Sequence, residues 1–425
     1  MLTRAAYTAL WWLAAPLLPL RLWWRGRHEP GYRARIGERF GRYPGDVPAP
    51  GGDVLWVHAV SLGETRAATP LVERLRRDHP HATILLTHMT ATGREAGYAL
   101  HGDRLLQAWL PYDLPFAIDA FIDRFKPRAG ILMETEVWPN LVARCAARNV
   151  PLFLVNARLS ARSLRGYHRI AALSRPMFAA LRGVAAQTTA DAARLEAAGA
   201  PAVEVTGNLK FDVAIPETAR TLGAELRARF GTARPVWVAS CTRDGEEALL
   251  LDAMARATLP AGTLMVVVPR HPQRFAAVAD LLAARGVPFV RRSDNGDVPP
   301  DVGVVLGDSM GEIPAYCAAA DVAFVGGSLL PLGGHNLIEP IAMGTPTLVG
   351  PHTFNFAEAT TQAIAAGAAL RVPDADALME TVSTLLLAPA RRRELHSAAL
   401  AFREAHRGAV DRLAAWLATR LPPMA

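Results

Sequence analysis

The sequence predicts an α/β protein of two doubly wound, Rossmann-like domains facing a cleft, preceded by a membrane-anchor helix. Short apolar runs alternate with helical runs, twice over, along 425 residues, as parallel strands joined by crossover helices do. A chain of this length exceeds one ordinary core and divides into two or three domains. Glycine-rich or acidic loops follow several of the apolar runs, at the strand carboxyl ends where open α/β sheets keep their sites.

The anchor comes first. Ala5 to Leu20 is uncharged, broken by Pro16 and Pro19, and runs into Leu22-Trp23-Trp24; it is short of the roughly 20 apolar residues of a spanning helix. Trp11, Trp12, Trp23 and Trp24 suit headgroup depth, and Arg21, Arg25, Arg27, Arg33, Arg35, Arg39 and Arg42 follow. Residues 1–27 are therefore expected to hold the protein to a membrane, basic side in the cytoplasm, either spanning it or lying in one leaflet. The alternative is a helix capping the first domain with its aromatic face. No small-x-small cleavage site precedes the arginines, which argues against a signal peptide.

After a Pro/Gly-rich hinge at Pro44–Gly52, a strand at Val54–Val60 leads into a helix ending near Arg77. Strands then follow at Thr83–Thr87, Leu105–Leu110, Ala129–Met133, Pro151–Val155 and Gly183–Gln187, with helices such as Leu114–Phe125, Asn140–Arg148 and Tyr167–Leu181. Gly207–Pro216 interrupts the rhythm. The second series has strands at Pro235–Ser240, Leu264–Val268, Pro288–Arg291, Val302–Leu306, Val322–Val325 and Thr347–Val349, with helices including Glu246–Arg256, Phe275–Arg285 and Ile313–Ala320. Asp374–Leu387 and Arg391–Leu421 close the chain as helix. The expected domains are 28–210 and 211–425.

Charge separates the halves. The chain carries 46 Lys/Arg against 39 Asp/Glu, a net +7, distributed as +10 over residues 1–210 and −3 beyond. The front half should meet something anionic. Nucleic acid is disfavoured because the basic run has no known reader motif, whereas the N-terminus points to a membrane surface. Cys145, Cys241 and Cys317 lie far apart, form no CxxC, and suit a reducing compartment. No metal is required: no His/Asp/Glu set has ligand spacing. Neither GxGxxG nor GxxxxGK[ST] is present, which removes the fingerprints of a dinucleotide dehydrogenase and a P-loop ATPase.

Phe324–Pro340 is the stretch most suggestive of a ligand. A strand enters a loop holding Gly326, Gly327, Ser328, Gly333 and Gly334, then a helix carrying Glu339. Glycines permit close backbone approach, and a helix start near Asn336 favours phosphate; Glu339 is placed to accept from ribose hydroxyls. A glycine-bounded turn with a helix-stabilising glutamate is the alternative. Pro269 and Arg270 end one neighbouring strand, and Met310, Gly311 and Glu312 follow another, so three strand ends converge on one nucleotide site. In the front half, Ser61-Leu-Gly-Glu64 fits a capping box and a catalytic loop equally well. Glu134 ends an apolar strand, and Lys210 at the interdomain crossing suits an acidic group.

Together these segments resemble bacterial 3-deoxy-D-manno-octulosonic acid (Kdo) transferases, GT-B glycosyltransferases of lipopolysaccharide synthesis. The resemblance runs through Trp56–Glu64, Met133–Asn140, Asn156–Ser160, Gly207–Asp212, Val268–Pro272, Phe324–Ser328, Gly333–Asn336 and Gly350–Phe356, which is nearly the whole chain. It implies inverting, metal-independent transfer of Kdo from CMP-Kdo to a lipid A precursor (lipid IVA) at the cytoplasmic face of the inner membrane, without a cofactor. It implies Glu64 as general base, Glu134 and Lys210 as transition-state stabilisers, and Pro269, Arg270, Met310–Glu312 and Asn336, Leu337, Ile338 and Glu339 as CMP-binding segments. Another GT-B enzyme using a UDP-sugar, or a silent lipid-binding scaffold, are the competing readings.

Overall fold

A computed structural model describes residues 3–27, 29–45, 51–212 and 217–424. Most of the expected Pro44–Gly52 hinge, and the end of the Gly207–Pro216 interruption, lie outside the described residues. The chain divides into two compact units, Met1–Val213 with Gly408–Ala425, and Ala214–Arg407.

Unit 1 holds strands β1 (Val54–His58), β2 (Thr83–His88), β3 (Leu106–Trp109), β4 (Pro127–Met133), β5 (Leu152–Ala157), β6 (Gly183–Ala186) and β7 (Val203–Val205). They form one parallel sheet in the order β3-β2-β1-β4-β5-β6-β7. The order reverses between β1 and β4, whose carboxyl ends therefore open a crevice. Side chains alternate across this sheet. Trp56, Leu85, Leu132 and Leu154 pack on one face, and Leu55, Val57, Leu86, Ile131, Phe153 and Val155 on the other. Helices cover both faces, which is why the strands read as continuous apolar runs rather than alternating ones.

The expected terminal helix Arg391–Leu421 is two helices, Pro389–His406 and Ala409–Ala418, broken where Gly408 takes a φ of 81°. The second belongs to unit 1. Its Leu413, Trp416 and Leu417, at i, i+3 and i+4, complete the second face of the first sheet. Asp212 caps its start, accepting from the Gly408 N–H at 2.8 Å and the Val410 N–H at 2.6 Å. The sequence boundary of 211–425 thus differs from the grouping by the last helix, which returns because the first sheet has an apolar face to cover. Similarly, Tyr167–Leu181 is divided into helices Ala161–Arg169 and Ala171–Ala179 at Ile170.

Unit 2 holds β8 (Val236–Thr242), β9 (Leu264–Pro269), β10 (Phe289–Arg291), β11 (Val304–Leu306), β12 (Val322–Val325), β13 (Thr347–Val349) and β14 (Ala369–Arg371). Its parallel order is β10-β11-β9-β8-β12-β13-β14, with the reversal between β8 and β12. The edge strands β7 and β14 have three residues each and were not apparent from the sequence.

The N-terminal segment forms helices Arg4–Ala14 and Leu18–Arg25, joined by a 3-10 turn at Ala15–Leu17 that accommodates Pro16. Among the described residues, no helix is long and apolar enough to cross a membrane. The segment has an inner and an outer side. Leu18, Leu22 and Trp11 pack on Tyr32, Tyr112 and Leu114 of unit 1, and the Thr8 hydroxyl donates to Asn140 Oδ1 at 2.9 Å. Trp12, Leu13, Leu17, Leu20 and Trp24 are each more than half exposed. Trp11 therefore follows the domain-capping expectation, while its neighbour Trp12 stacks on the exposed Phe116 at 5.2 Å and keeps its outer half in solvent.

Candidate active site

In unit 1 the loops after β1 and β4 bring two carboxylates to the reversal point. Ser61 opens the helix Leu62–Asp78, and its hydroxyl accepts from the Glu64 N–H. The Glu64 carboxylate accepts from the Val60 N–H and the Ser61 hydroxyl, each at 2.9 Å. The capping bonds are thus formed, and they aim the carboxyl. Burial pushes the Glu64 carboxyl up to about 7, against its backbone bond and with help from the charges of Glu134 and Glu136. A group with that value is half ionised near neutral pH, the condition in which a carboxylate both accepts and releases protons readily. Cap and proton acceptor, which the sequence left as alternatives, are compatible in one side chain.

Glu134 is buried and sits just past β4 with φ 56°, a left-handed conformation that a residue with a Cβ rarely adopts. Its N–H donates to the Val155 carbonyl at 3.0 Å. Its carboxylate receives Lys210 Nζ at 2.9 Å and Arg158 Nε at 2.8 Å. Burial alone would raise this carboxyl, but the two cations outweigh it and hold the group below the ordinary value. Glu134 is therefore ionised where Glu64 is poised, two acids driven apart by environment.

Lys210 reaches Glu134 because its own turn is pinned. The fully buried Asn156, also left-handed with φ 48°, accepts the Leu209 N–H at 3.0 Å through Oδ1. Asn208 Oδ1 accepts the Lys210 N–H at 3.0 Å. Arg158 and Asn156 were not singled out by sequence reasoning. Their signal was present in Asn156-Ala-Arg-Leu-Ser160, but only pairing of β5 beside β4 shows that this segment serves Glu134.

In unit 2 the glycine loop after β12 is built around a carboxylate. Glu246, fully buried, accepts from the N–H groups of Gly327 at 2.6 Å, Leu329 at 3.0 Å and Arg243 at 2.9 Å. The Gly334 N–H donates to Gly327 O and the His335 N–H to Gly326 O. Ser328 Oγ accepts from the Gly350 N–H at 2.8 Å. The donors of Gly326, which reaches Ser240 O, of Gly327 and of Gly334 are thus engaged within the protein. What the glycines supply is proximity: a Cβ on Gly326 would lie 2.7 Å from Cys241 O, and one on Gly327 2.9 Å from the His335 ring. Gly333 lies in the same loop and accepts the Asn355 N–H through its carbonyl.

Past the loop, Asn336 Oδ1 accepts the Ile338 N–H and Asn336 Nδ2 donates to Glu339 Oε1 at 3.2 Å. Leu337 and Ile338 are buried and fix the turn; Asn336, just before the helix Ile338–Met343, and Glu339, on its first turn, stay half-buried. Arg270 follows Pro269, the last residue of β9, and its N–H donates to Thr242 O at 3.0 Å. Among the described residues the side chains of Arg243 and Arg270 form no ion pair. Burial, followed by these two cations, drives His335 down to about 4, so it is neutral at pH 7. Glu312 accepts from the Ser309 hydroxyl at 2.6 Å and pairs with Arg292 at 3.2 Å. Gly311 is left-handed, and Met310 beside it is 53% exposed. Arginines without ion pairs after β8 and β9, an exposed thioether after β11 and a half-buried Asn–Glu pair after β12 are groups that could meet the phosphate, base and ribose of a nucleoside phosphate. Glu246 was missed in the sequence because Glu246-Glu247 reads as two ordinary acids on a helix start.

Among the described residues no cluster of three or more His, Cys, Asp or Glu is placed to hold a metal.

Residues 34–213 match the family profile described as 3-deoxy-D-manno-octulosonic-acid transferase (kdotransferase). The chain is 49% identical over 431 residues to the 3-deoxy-D-manno-octulosonic acid transferase of Bordetella pertussis, covering 97% of this chain and 99% of that one. It is 40% identical to the transferase of the same name from Haemophilus influenzae, covering 96% and 97%. Among solved structures it resembles Anabaena HepE in complex with UDP, at 15% identity and a TM-score of 0.58 over 86% of this chain and all of that one. At that identity the likeness concerns the fold.

Proposed function

The chain belongs to the Kdo transferase family, and on that premise we propose how its residues divide the reaction. It is a GT-B glycosyltransferase that adds Kdo in lipopolysaccharide biosynthesis. The donor in this reading is CMP-Kdo and the acceptor a phosphorylated lipid A precursor. Glu64 takes the proton of the acceptor hydroxyl as that oxygen bonds to the anomeric carbon of Kdo. The bond from that carbon to the phosphate oxygen breaks on the opposite face, CMP leaves with the electron pair, and configuration inverts. Lys210 and Glu134 form a fixed charge pair beside the base, with Lys210 offsetting negative charge that develops in the transition state. Arg270 faces the phosphate, Asn336 and Glu339 the ribose, and Met310–Glu312 the base of CMP.

The observation that carries this reading is the contrast at the β1/β4 reversal: Glu64 poised at about 7 beside Glu134, which is held ionised by two cations. The half-exposed row Trp12, Leu13, Leu17, Leu20 and Trp24 supports peripheral attachment to the cytoplasmic face of the inner membrane, with arginines at the same end for anionic lipid. The direct test is incubation with CMP-Kdo and a lipid A precursor, followed by mass spectrometry. A mass increase of the acceptor by one or more Kdo residues is expected from the wild type and not from Glu64→Ala; Kdo transfer at the normal rate by that variant would overturn the assignment.

A further inference from the structure

From Val137 to Ala190 the chain carries eight arginines and no acidic residue. Three of the eight are neutralised by acids from elsewhere: Arg144 by Asp119, Arg148 by Asp123 and Arg158 by Glu134. Three others lie on the helix Ala161–Arg169, which starts three residues after Arg158 and is capped by Ser160, whose hydroxyl accepts the Ser163 N–H at 3.1 Å. Arg162, Arg165 and Arg169 stand at i, i+3 and i+7, so at ~100° per residue they form one stripe, ~10 Å long. The opposite face is half-buried: Leu164 and Tyr167 pack against the unit 1 core, Tyr167 edge-on to Phe178 at 5.1 Å. All three arginines are exposed, and among the described residues none makes a hydrogen bond or ion pair.

A row of guanidinium groups with no carboxylate partner has a geometry that favours phosphate, which arginine grips through a planar fork of donors. The row extends from the strand end where Arg158 meets Glu134. We propose that Arg162, Arg165 and Arg169 bind the phosphate groups of the acceptor glycolipid and orient its sugar toward the Glu64–Glu134 end of the sheet. This rests on the acceptor being a phosphorylated lipid, as proposed above. The stripe acts in acceptor recognition; it takes no part in proton transfer.

The test uses the full-length enzyme with Arg162→Ser, Arg165→Ser and Arg169→Ser combined, against the lipid A precursor and the same lipid after phosphatase treatment. The expected result is a loss of about tenfold in kcat/KM for the phosphorylated acceptor, carried by KM, as removal of three exposed charge contacts gives. KM for CMP-Kdo, turnover of the dephosphorylated acceptor and cosedimentation with phosphatidylglycerol vesicles should all stay unchanged. The triple lysine variant should recover part of the loss. Equal losses on both acceptors, or no loss on either, would overturn the proposal, and so would a loss of vesicle binding with acceptor discrimination intact, which would make the stripe a membrane contact. Direct binding of the two lipids without donor separates this inference from the transfer reaction: a wild type that prefers the phosphorylated lipid yet transfers no Kdo would sink the activity and leave the stripe standing.

Discussion

Replacing Glu64 with Gln keeps the shape of the side chain and removes its charge, and it should inactivate the enzyme while stabilising it. The folded value of about 7 lies above the ordinary glutamate value of 4.5. The folded protein thus binds the proton more tightly than the unfolded chain, so this group's stabilising contribution is complete below about pH 4.5 and lost as pH rises through 7. At pH 8.5, holding Glu64 ionised costs about 3 kcal/mol, less what solvent at its half-exposed edge screens. Gln escapes that cost but gives up about 1 kcal/mol, because its amide nitrogen cannot accept the bond that one carboxylate oxygen receives from Val60 or Ser61. The net expectation is a variant about 1–2 kcal/mol more stable than wild type at pH 8.5 and no more stable at pH 5. Urea titrations at the two pH values read the difference as a shift in midpoint with constant slope. Transfer should fall by at least about a hundredfold, as for loss of a general base, and wild-type turnover should itself decline as pH falls below 7. A variant destabilised equally at both pH values and still transferring Kdo would reduce Glu64 to a helix cap.

Lys210→Met should leave Glu134 with Arg158 as its one remaining cation of the two, raise the Glu134 carboxyl toward the Glu64 value, and cost about 10²–10³ in kcat with little change in donor KM; a change confined to KM would refute a transition-state role. Gly327→Ala forces a Cβ into a φ of 71° and to 2.9 Å from the His335 ring, so it should destabilise by about 1–2 kcal/mol and raise KM for CMP-Kdo while leaving acceptor KM alone, measured by steady-state kinetics. Trp12→Ser with Trp24→Ser should weaken vesicle cosedimentation with a smaller loss of thermal stability than Trp11→Ser, because both side chains are more than half exposed and Trp12 stacks on the exposed Phe116, whereas Trp11→Ser removes a contact with the buried Tyr112; the reverse pattern would remove the two-sided reading of the segment.

The architecture was legible because parallel strands covered on both faces are near-continuous apolar runs, as Val54–Val57 and Leu264–Val268 are, and such runs survive in sequence without their neighbours. The three-residue edge strands β7 and β14 carry too few residues to stand out from loop. The residues that the sequence singles out as candidates, Glu64, Glu134, Arg270 and Glu339, stood out because each lies on the connection that follows a strand. A residue that works through another did not stand out.

By itself the sequence determined two parallel α/β domains, the loops at their strand ends and the acidic, basic and glycine residues on them, since local apolar period and strand-to-helix punctuation are encoded residue by residue. Only the tertiary structure decided that Glu64 is both cap and poised acid, that Asn156 and Arg158 serve Glu134, that Glu246 ties down the glycine loop and that the last helix closes the first sheet. Each of those depends on a contact between segments far apart in the chain or on burial. Burial shifts a carboxyl by removing water, and no local pattern of residues records how much water the fold leaves.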